Sequence, residues 1–266
     1  MKLRISSFST AVAPFSLLSF LRNTRIGNLR VLDLSKNKLK RLPNRMNELT
    51  GIKSLNLNDN KLMRGSLIPL SKLDNLQTLT LSNNKIGVDT DGERTIVGPH
   101  LPSLSAKLKT VKIDHNHLTV IPKSIYAPFM TKLEKIDLSY NQIAAIPEAF
   151  CEHLSSCLVE LNLDNNLITS LPVAIGSLVK LKSLSLQSNK ICVLRTSFDS
   201  RNPQPLPQVL FTKTPIIDLN LKGNRMTNGQ LNEFAGFEEF LERRKHLKSK
   251  NLHGGALTDL DLCGLE

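Results

Sequence analysis

The residues able to do chemistry in this 266-residue chain are few and scattered. Asp114 and His115 stand side by side with His117 just beyond, an acid and a base of the types that move protons. No serine or cysteine nucleophile has a fixed spacing to them, so the pair alone does not spell a catalytic site. The stretch DTDGE, Asp89 to Glu93, resembles part of a calcium loop. It lacks a third early acid and the distal bidentate glutamate that would close the coordination sphere, and it reads as a solvated acidic turn. Four cysteines (Cys151, Cys157, Cys192, Cys263) form no C-x-x-C pair, and six histidines fall at no metal-ligand spacing. Neither a zinc site nor a disulfide framework is implied, and no cofactor. Pro99 and Pro102 make one P-x-x-P, a weak signal. Cys263, fourth from the end, is in register for prenylation, but the glycine after it and the terminal glutamate argue against that.

What must position any of these residues is a repeat. The pattern L-x-x-L-x-L-x-x-N occurs eight times: LRVLDLSKN from Leu29, IKSLNLNDN from Ile52, LQTLTLSNN from Leu76, LKTVKIDHN from Leu108, LEKIDLSYN from Leu133, LVELNLDNN from Leu158, LKSLSLQSN from Leu181 and IIDLNLKGN from Ile216. The asparagines are separated by 23, 24, 32, 25, 25, 23 and 35 residues, so two repeats carry insertions, at 87–107 and 196–215. The second, with Pro203, Pro205 and Pro207 at alternate positions, reads as a stiff surface loop. Alternation in L-x-L turns the fourth and sixth residues of the motif inward on a short strand. The asparagine falls where the chain leaves the strand, and its amide can both donate and accept among backbone groups otherwise unpaired. Since one unit cannot bury its own leucines, the stack is the folding unit.

Several repeats continue as an aliphatic residue and proline, with another apolar residue three further on: Pro43 with Met46, Pro122 with Ile125, Pro147 with Phe150, Pro172 with Ile175. In this form the chain resembles the leucine-rich repeat superfamily, in its intracellular Ras-group type. With its C-terminal GFEEFLERRKHLK it is similar to the subfamily around leucine-rich repeat-containing protein 57. The resemblance implies an α/β fold: a right-handed solenoid of about eight repeats with a parallel sheet on its concave face and a C-terminal capping helix. It also implies a non-enzymatic scaffold that binds a protein partner, such as a small GTPase pathway or phosphatase component, and acts in intracellular signalling or complex assembly.

The expected organisation is an N-terminal cap or degenerate repeat over 1–28, repeats over 29–228, a capping helix over 229–250 and a loosely ordered tail over 251–266. The first segment lacks acids and is rich in serine, so a targeting role is its second reading. Lys2 excludes N-myristoylation, no apolar run is long enough to span a bilayer, and no stable membrane anchor is expected. The absence of an Asn-x-Ser/Thr sequon and the scattered cysteines fit the cytoplasm; a monomer is expected.

Net charge is +12, of which +9 lies in residues 1–45, where ten basic residues face the single acid Asp33. The remainder is nearly balanced, so nucleic acid is not the expected partner. The third, fifth, seventh and eighth motif positions should face solvent on the sheet, and there seven acids meet four lysines. Such a mildly acidic face suits a polar protein rather than phosphate. The residues expected to bind it are Lys112, Asp114, His115, Lys135, Asp137, Tyr140, Glu160, Asn162 and Asp164. Tyr140 is the sole residue there of the types that dominate interface energetics. The alternative is a peripheral binder of anionic membrane or nucleic acid acting through the basic segment up to Arg45.

Overall fold

A computed structural model describes residues 2–4, 28–87, 101–193, 204–250 and 263–265. The chain divides into two compact units, Met1–Gln142 and Ile143–Glu266. The first holds six strands: β1 (Lys2–Arg4), β2 (Val31–Asp33), β3 (Ser54–Asn56), β4 (Thr78–Thr80), β5 (Thr110–Lys112) and β6 (Lys135–Asp137). The second holds β7 (Glu160–Asn162), β8 (Ser183–Ser185) and β9 (Asp218–Asn220). Within each unit the strands are parallel and follow sequence order. Each is three residues long. From β2 to β9 the middle residue faces the core, Leu32, Leu55, Leu79 and Val111 among them, and none of these is more than 3% exposed.

The first strand lies outside the eight motifs. Lys2, Leu3 and Arg4 pair with Val31, Leu32 and Asp33, so Leu3 continues the leucine column without any following asparagine. The described residues thus form nine strands where eight were expected.

The buried asparagines explain why the stack holds its register. In the first unit Asn60, Asn84, Asn116 and Asn141 each donate to carbonyls of their own turn and to one in the preceding repeat. Asn116 Nδ2 reaches the oxygens of Leu81, Ile113 and Asp114 at 3.0, 3.3 and 2.9 Å. Its Oδ1 accepts the N–H of Ile86 at 3.0 Å. In the second unit Asn189 repeats this with the oxygens of Leu163, Leu186 and Gln187 and the N–H of Ile168. A short strand leaves its turn groups unpaired in the interior, and one primary amide satisfies several of them at once.

The return segments are short because proline opens them. Pro43, Pro122, Pro147 and Pro172 are extended, and each carbonyl accepts the N–H three residues later at 2.9–3.0 Å. That bond winds a single turn, 3-10 in three cases and the α-helix α1 (Glu148–His153) in the fourth. Met46, Ile125, Phe150 and Ile175 are the residues turned inward, all at 0% exposure, as the spacing after proline predicts.

The second insertion departs from the surface loop that its prolines suggest. Of its described part, Pro205, Leu206, Leu210 and Phe211 are buried, and Pro205 accepts the N–H of Leu171 at 2.8 Å. Helix α2 (Val209–Thr212) places Phe211 against Phe234, Phe237 and Phe240. The expected single helix after Asn228 is two: α3 (Asn228–Asn232), opened by a capping box between Thr227 and Gln230, and α4 (Phe237–Lys250). Between them Gly236, at φ 85°, turns the chain where a Cβ would meet the Thr212 methyl at 2.6 Å. Arg243 ties α4 down through the carbonyl of Phe211 at 2.6 Å.

The end of the expected loose tail also packs. Cys263 and Leu265 are buried, the Cys263 carbonyl accepts the N–H of Leu221 at 2.7 Å and that of Leu265 accepts Asn228 Nδ2 at 2.7 Å. Burial pushes the Cys263 thiol up to about 12, an inert environment for a side chain considered for lipidation. DTDGE, Pro99, Pro203 and residues 5–27 lie outside the described residues.

Candidate protein-binding face

The solvent side of the strands in the first unit carries Lys112, Asp114, His115, Lys135, Asp137 and Tyr140 on two adjacent repeats, joined by β5–β6 pairing in which Lys112 opposes Asp137. Glu160, Asn162 and Asp164 belong to the second unit, on β7 and the turn after it.

Not all of these side chains are available. Asp114 Oδ1 accepts the Ser82 hydroxyl at 2.5 Å and its other oxygen meets His115 Nδ1 at 3.0 Å. Asp137 accepts both the N–H and the hydroxyl of Ser139, at 3.1 and 2.8 Å. In the second unit Asn162 accepts the Asp164 N–H at 3.0 Å, and Asp164 accepts the Ser185 hydroxyl and the Gln187 N–H at 2.6 and 2.7 Å. Asp137 and Asn162 tie the turn that follows their strand, an Asx arrangement, while Asp114 and Asp164 bond to the adjacent repeat, and both kinds of bond make these groups part of the frame. Asp33 plays the same part at the start of the stack, bonded twice to Ser35. Burial opposes its ionisation, but the Ser35 bonds and the charges of Arg4 and Lys2 outweigh that and hold its carboxyl below the usual value.

The arrangement of Ser82, Asp114 and His115 has the residue types of a nucleophilic triad in the wrong connectivity. The hydroxyl donates to the carboxylate and not to the imidazole, so the base does not hold the proton it would have to remove. Among the described residues no group of three His, Cys, Asp or Glu side chains could hold a metal ion.

What stands clear of the frame is aromatic. His115 and Tyr140 stack with ring centroids 4.0 Å apart at an interplanar angle of 17°, and Tyr140 is 50% exposed. Both occupy the eighth motif position, and so do Lys36, Asp59, Asn83, Asn165 and Ser188. All seven have φ between 51° and 57°. Gly223, the eighth member, is at 73°. Left-handed backbone is costly for a side chain other than glycine or asparagine. Here the asparagine that follows needs this turn to enter the core, so the conformation is imposed whatever the side chain. A histidine and a tyrosine held this way on neighbouring repeats are brought flat against one another. Sequence reasoning named both residues but missed the stack; its signal was that they fall 25 residues apart, one repeat, at one motif position.

The charge of the face also differs from expectation, because β1 adds Lys2 and Arg4 to the third and fifth columns. The first unit then carries five bases (Lys2, Arg4, Lys36, Lys112, Lys135) to four acids (Asp33, Asp59, Asp114, Asp137). The second carries Lys222 against Glu160, Asp164 and Asp218. Only the second is acidic.

Sequence profiles described as leucine rich repeat match residues 131–191, and again 28–49 and 75–95. The chain carries leucine-rich repeats. Of solved structures, this leucine-rich repeat chain is similar to a leucine-rich repeat protein of Leptospira interrogans, at TM-score 0.56 and 24% identity over 82% of this chain and 54% of that one. It is likewise similar to an internalin from Listeria monocytogenes, at TM-score 0.54 and 22% identity over 79% and 53%. These likenesses establish the fold. A curated relative, a probable inactive serine/threonine-protein kinase named roco10 from Dictyostelium discoideum, is 32% identical over 108 residues, 38% of this chain. The chain spans about 4% of that protein's length. Leucine-rich repeat domains typically serve as protein-interaction scaffolds, and the fold is typically non-catalytic. None of these matches singles out the subfamily around leucine-rich repeat-containing protein 57.

Proposed function

We propose that this leucine-rich repeat chain is a non-catalytic scaffold that takes a protein partner on the open sheet face of its first unit, with the Tyr140–His115 stack as the anchor. The observation carrying this is the stacked, half-exposed aromatic pair in a left-handed column. Of the left-handed column these two members alone are aromatic, and each ring is held at the surface by a backbone bend that the ladder imposes. An aromatic held rigid before binding also loses little entropy on contact. Asp114, bonded to His115, and the Lys112–Asp137 pair on the strands of the same two repeats give the anchor a polar surround. The Ras-group resemblance supports a partner from small GTPase signalling or a phosphatase assembly. Four cysteines, none in a disulfide, support a reducing cytoplasmic setting.

The test is affinity capture from cells with the wild type set against a His115→Asn, Tyr140→Asn double variant, chosen because asparagine accepts left-handed backbone. The expected result is loss of the main partners with unchanged circular dichroism. An unchanged partner set would sink the proposal.

A further inference from the structure

A second binding feature lies away from the sheet face, among the return segments of the first two full repeats. Lys40, Arg41, Leu42, Met63, Arg64 and Ile68 help to enclose a cavity of about 540 Å³. No acid lines it, and none occurs anywhere from Leu34 to Asn47 or from Asn60 to Leu73. Lys40, Arg41 and Arg64 make no side-chain hydrogen bond or ion pair among the described residues, whereas nearby Arg45, outside the cavity, is paired with Glu48 at 2.8 Å. Ile68 is 65% exposed at the wall of the same cavity.

From this juxtaposition of three unpaired cations and an exposed isoleucine around one cavity, we propose that the site binds an acidic peptide segment of a protein partner, with an apolar side chain in the cavity and carboxylates on the cations. Three positive charges without a counter-ion raise the local concentration of anions. Arg41 and Arg64 each follow a ladder asparagine by four residues, so they hold the same place on adjacent repeats. They offer a row along the stack instead of one convergent point. An extended chain places alternate side chains about 6.6 Å apart, within the reach of two arginines. A simple anion leaves the isoleucine unexplained. A lipid surface is met by several protruding apolar residues, whereas here Ile68 alone of the apolar lining protrudes, beside a cavity walled by Leu42, Met63 and Pro69.

The test measures fluorescence anisotropy of a labelled peptide bearing one leucine between pairs of glutamates, titrated with the full chain at rising salt. A lysine-for-glutamate peptide serves as control, and vesicles of phosphatidylserine and phosphatidylcholine form a parallel arm. Binding of the acidic peptide is expected to fall about ten-fold or more in the Arg41→Glu, Arg64→Glu variant. Ile68→Ser, which leaves charge unchanged, should weaken it about three-fold or more. Lys53→Glu with Lys109→Glu, the same charge change at exposed positions outside the cavity, should have little effect, as should Tyr140→Asn. The proposal fails if the cavity variant binds like the wild type or if the Lys53, Lys109 variant loses as much. It also fails if Tyr140→Asn abolishes binding, which would move the peptide to the sheet face. Tighter capture of the vesicles than of the peptide, lost in the cavity variant, would replace the peptide with a membrane surface.

Discussion

Two columns of the same turn sit one residue apart and are constrained in opposite ways. The ladder position is fixed in identity: it is asparagine in all eight motifs, and seven of the eight are buried. The position before it is fixed in conformation, left-handed throughout, while its identity runs through lysine, aspartate, asparagine, histidine, tyrosine, serine and glycine. The difference teaches where a repeat protein stores structure and where it is free to store function. A buried turn demands a particular set of donors and acceptors, which only the primary amide supplies at that size. A bent backbone demands only that its strain be outweighed, and any side chain placed there points to solvent.

The comparison breaks most visibly at the ladder. Asn116→Ala strands the N–H of Ile86 in the interior and takes one of two donors from each of the carbonyls of Leu81, Ile113 and Asp114, which keep Asn84 Nδ2, Asn141 Nδ2 and the Asn83 N–H. At about 1–3 kcal/mol for the buried N–H left unpaired and about 0.5–1.5 kcal/mol for each of the three bonds lost, a loss on the order of 4 kcal/mol is expected in urea denaturation. Asn83→Ala, in the neighbouring column, forfeits a bond to Asp59 and a side chain suited to left-handed backbone, and should cost about 1 kcal/mol or less. Equal losses at the two sites would dissolve the distinction.

The second effect is on binding. Tyr140→Asn should leave stability unchanged or raise it by about 0.5 kcal/mol, since asparagine tolerates the imposed φ. The same change should weaken partner binding by about 2 kcal/mol or more, measured by calorimetry once a partner is in hand. Loss of stability in parallel with binding would make Tyr140 a structural residue.

Gly223 tests the column from the other side. It alone lacks a side chain, and a Cβ there would approach Ser188 Oγ at 3.0 Å. Gly223→Ala should cost about 1 kcal/mol, close to the general penalty for left-handed alanine. A much larger cost would mean that the position is fixed by packing, and that freedom of identity does not extend to the last repeat.

Much of this is legible in the sequence, for a physical reason. Spacings that report on burial, Leu32 to Leu34 or Pro147 to Phe150, are local, and the pattern alone places those side chains inside. The eighth column escapes because no residue type marks it: Lys36 and Tyr140 share a backbone conformation and nothing else. β1 escapes because Leu3 continues the leucine column without an asparagine behind it. The string LTDLDLCGL from Leu257 repeats the leucine spacing in the same incomplete way, with Leu265 in the asparagine's place, and Cys263 and Leu265 at its end are buried. The proposed anchor is half legible. Residue type alone selects its members, while the carboxylates selected with them prove to be part of the frame, Asp137 as a tie of its own turn and Asp114 and Asp164 as links to the adjacent repeat.

Asp33 gives the smallest and most specific test of that last point. If fifth-position acids serve the frame, removing the partner hydroxyl should be felt by the carboxylate before it is felt by the fold. Ser35→Ala deletes one of two bonds to Asp33 and should move its pKa up toward the ordinary 3.8, read by carboxyl NMR titration. The sign follows from linkage: a depressed folded pKa contributes stability that is whole above the unfolded value and is lost as pH falls through the folded one. Acid unfolding of the variant should therefore lose less between neutral pH and pH about 3 than the wild type does, by a few tenths of a kcal/mol for a partly buried group that loses one of several bonds. An unmoved pKa would mean that the Ser35 N–H, Arg4 and Lys2 hold Asp33 ionised without the hydroxyl, and that the side chain at position 35 is not what ties that carboxylate.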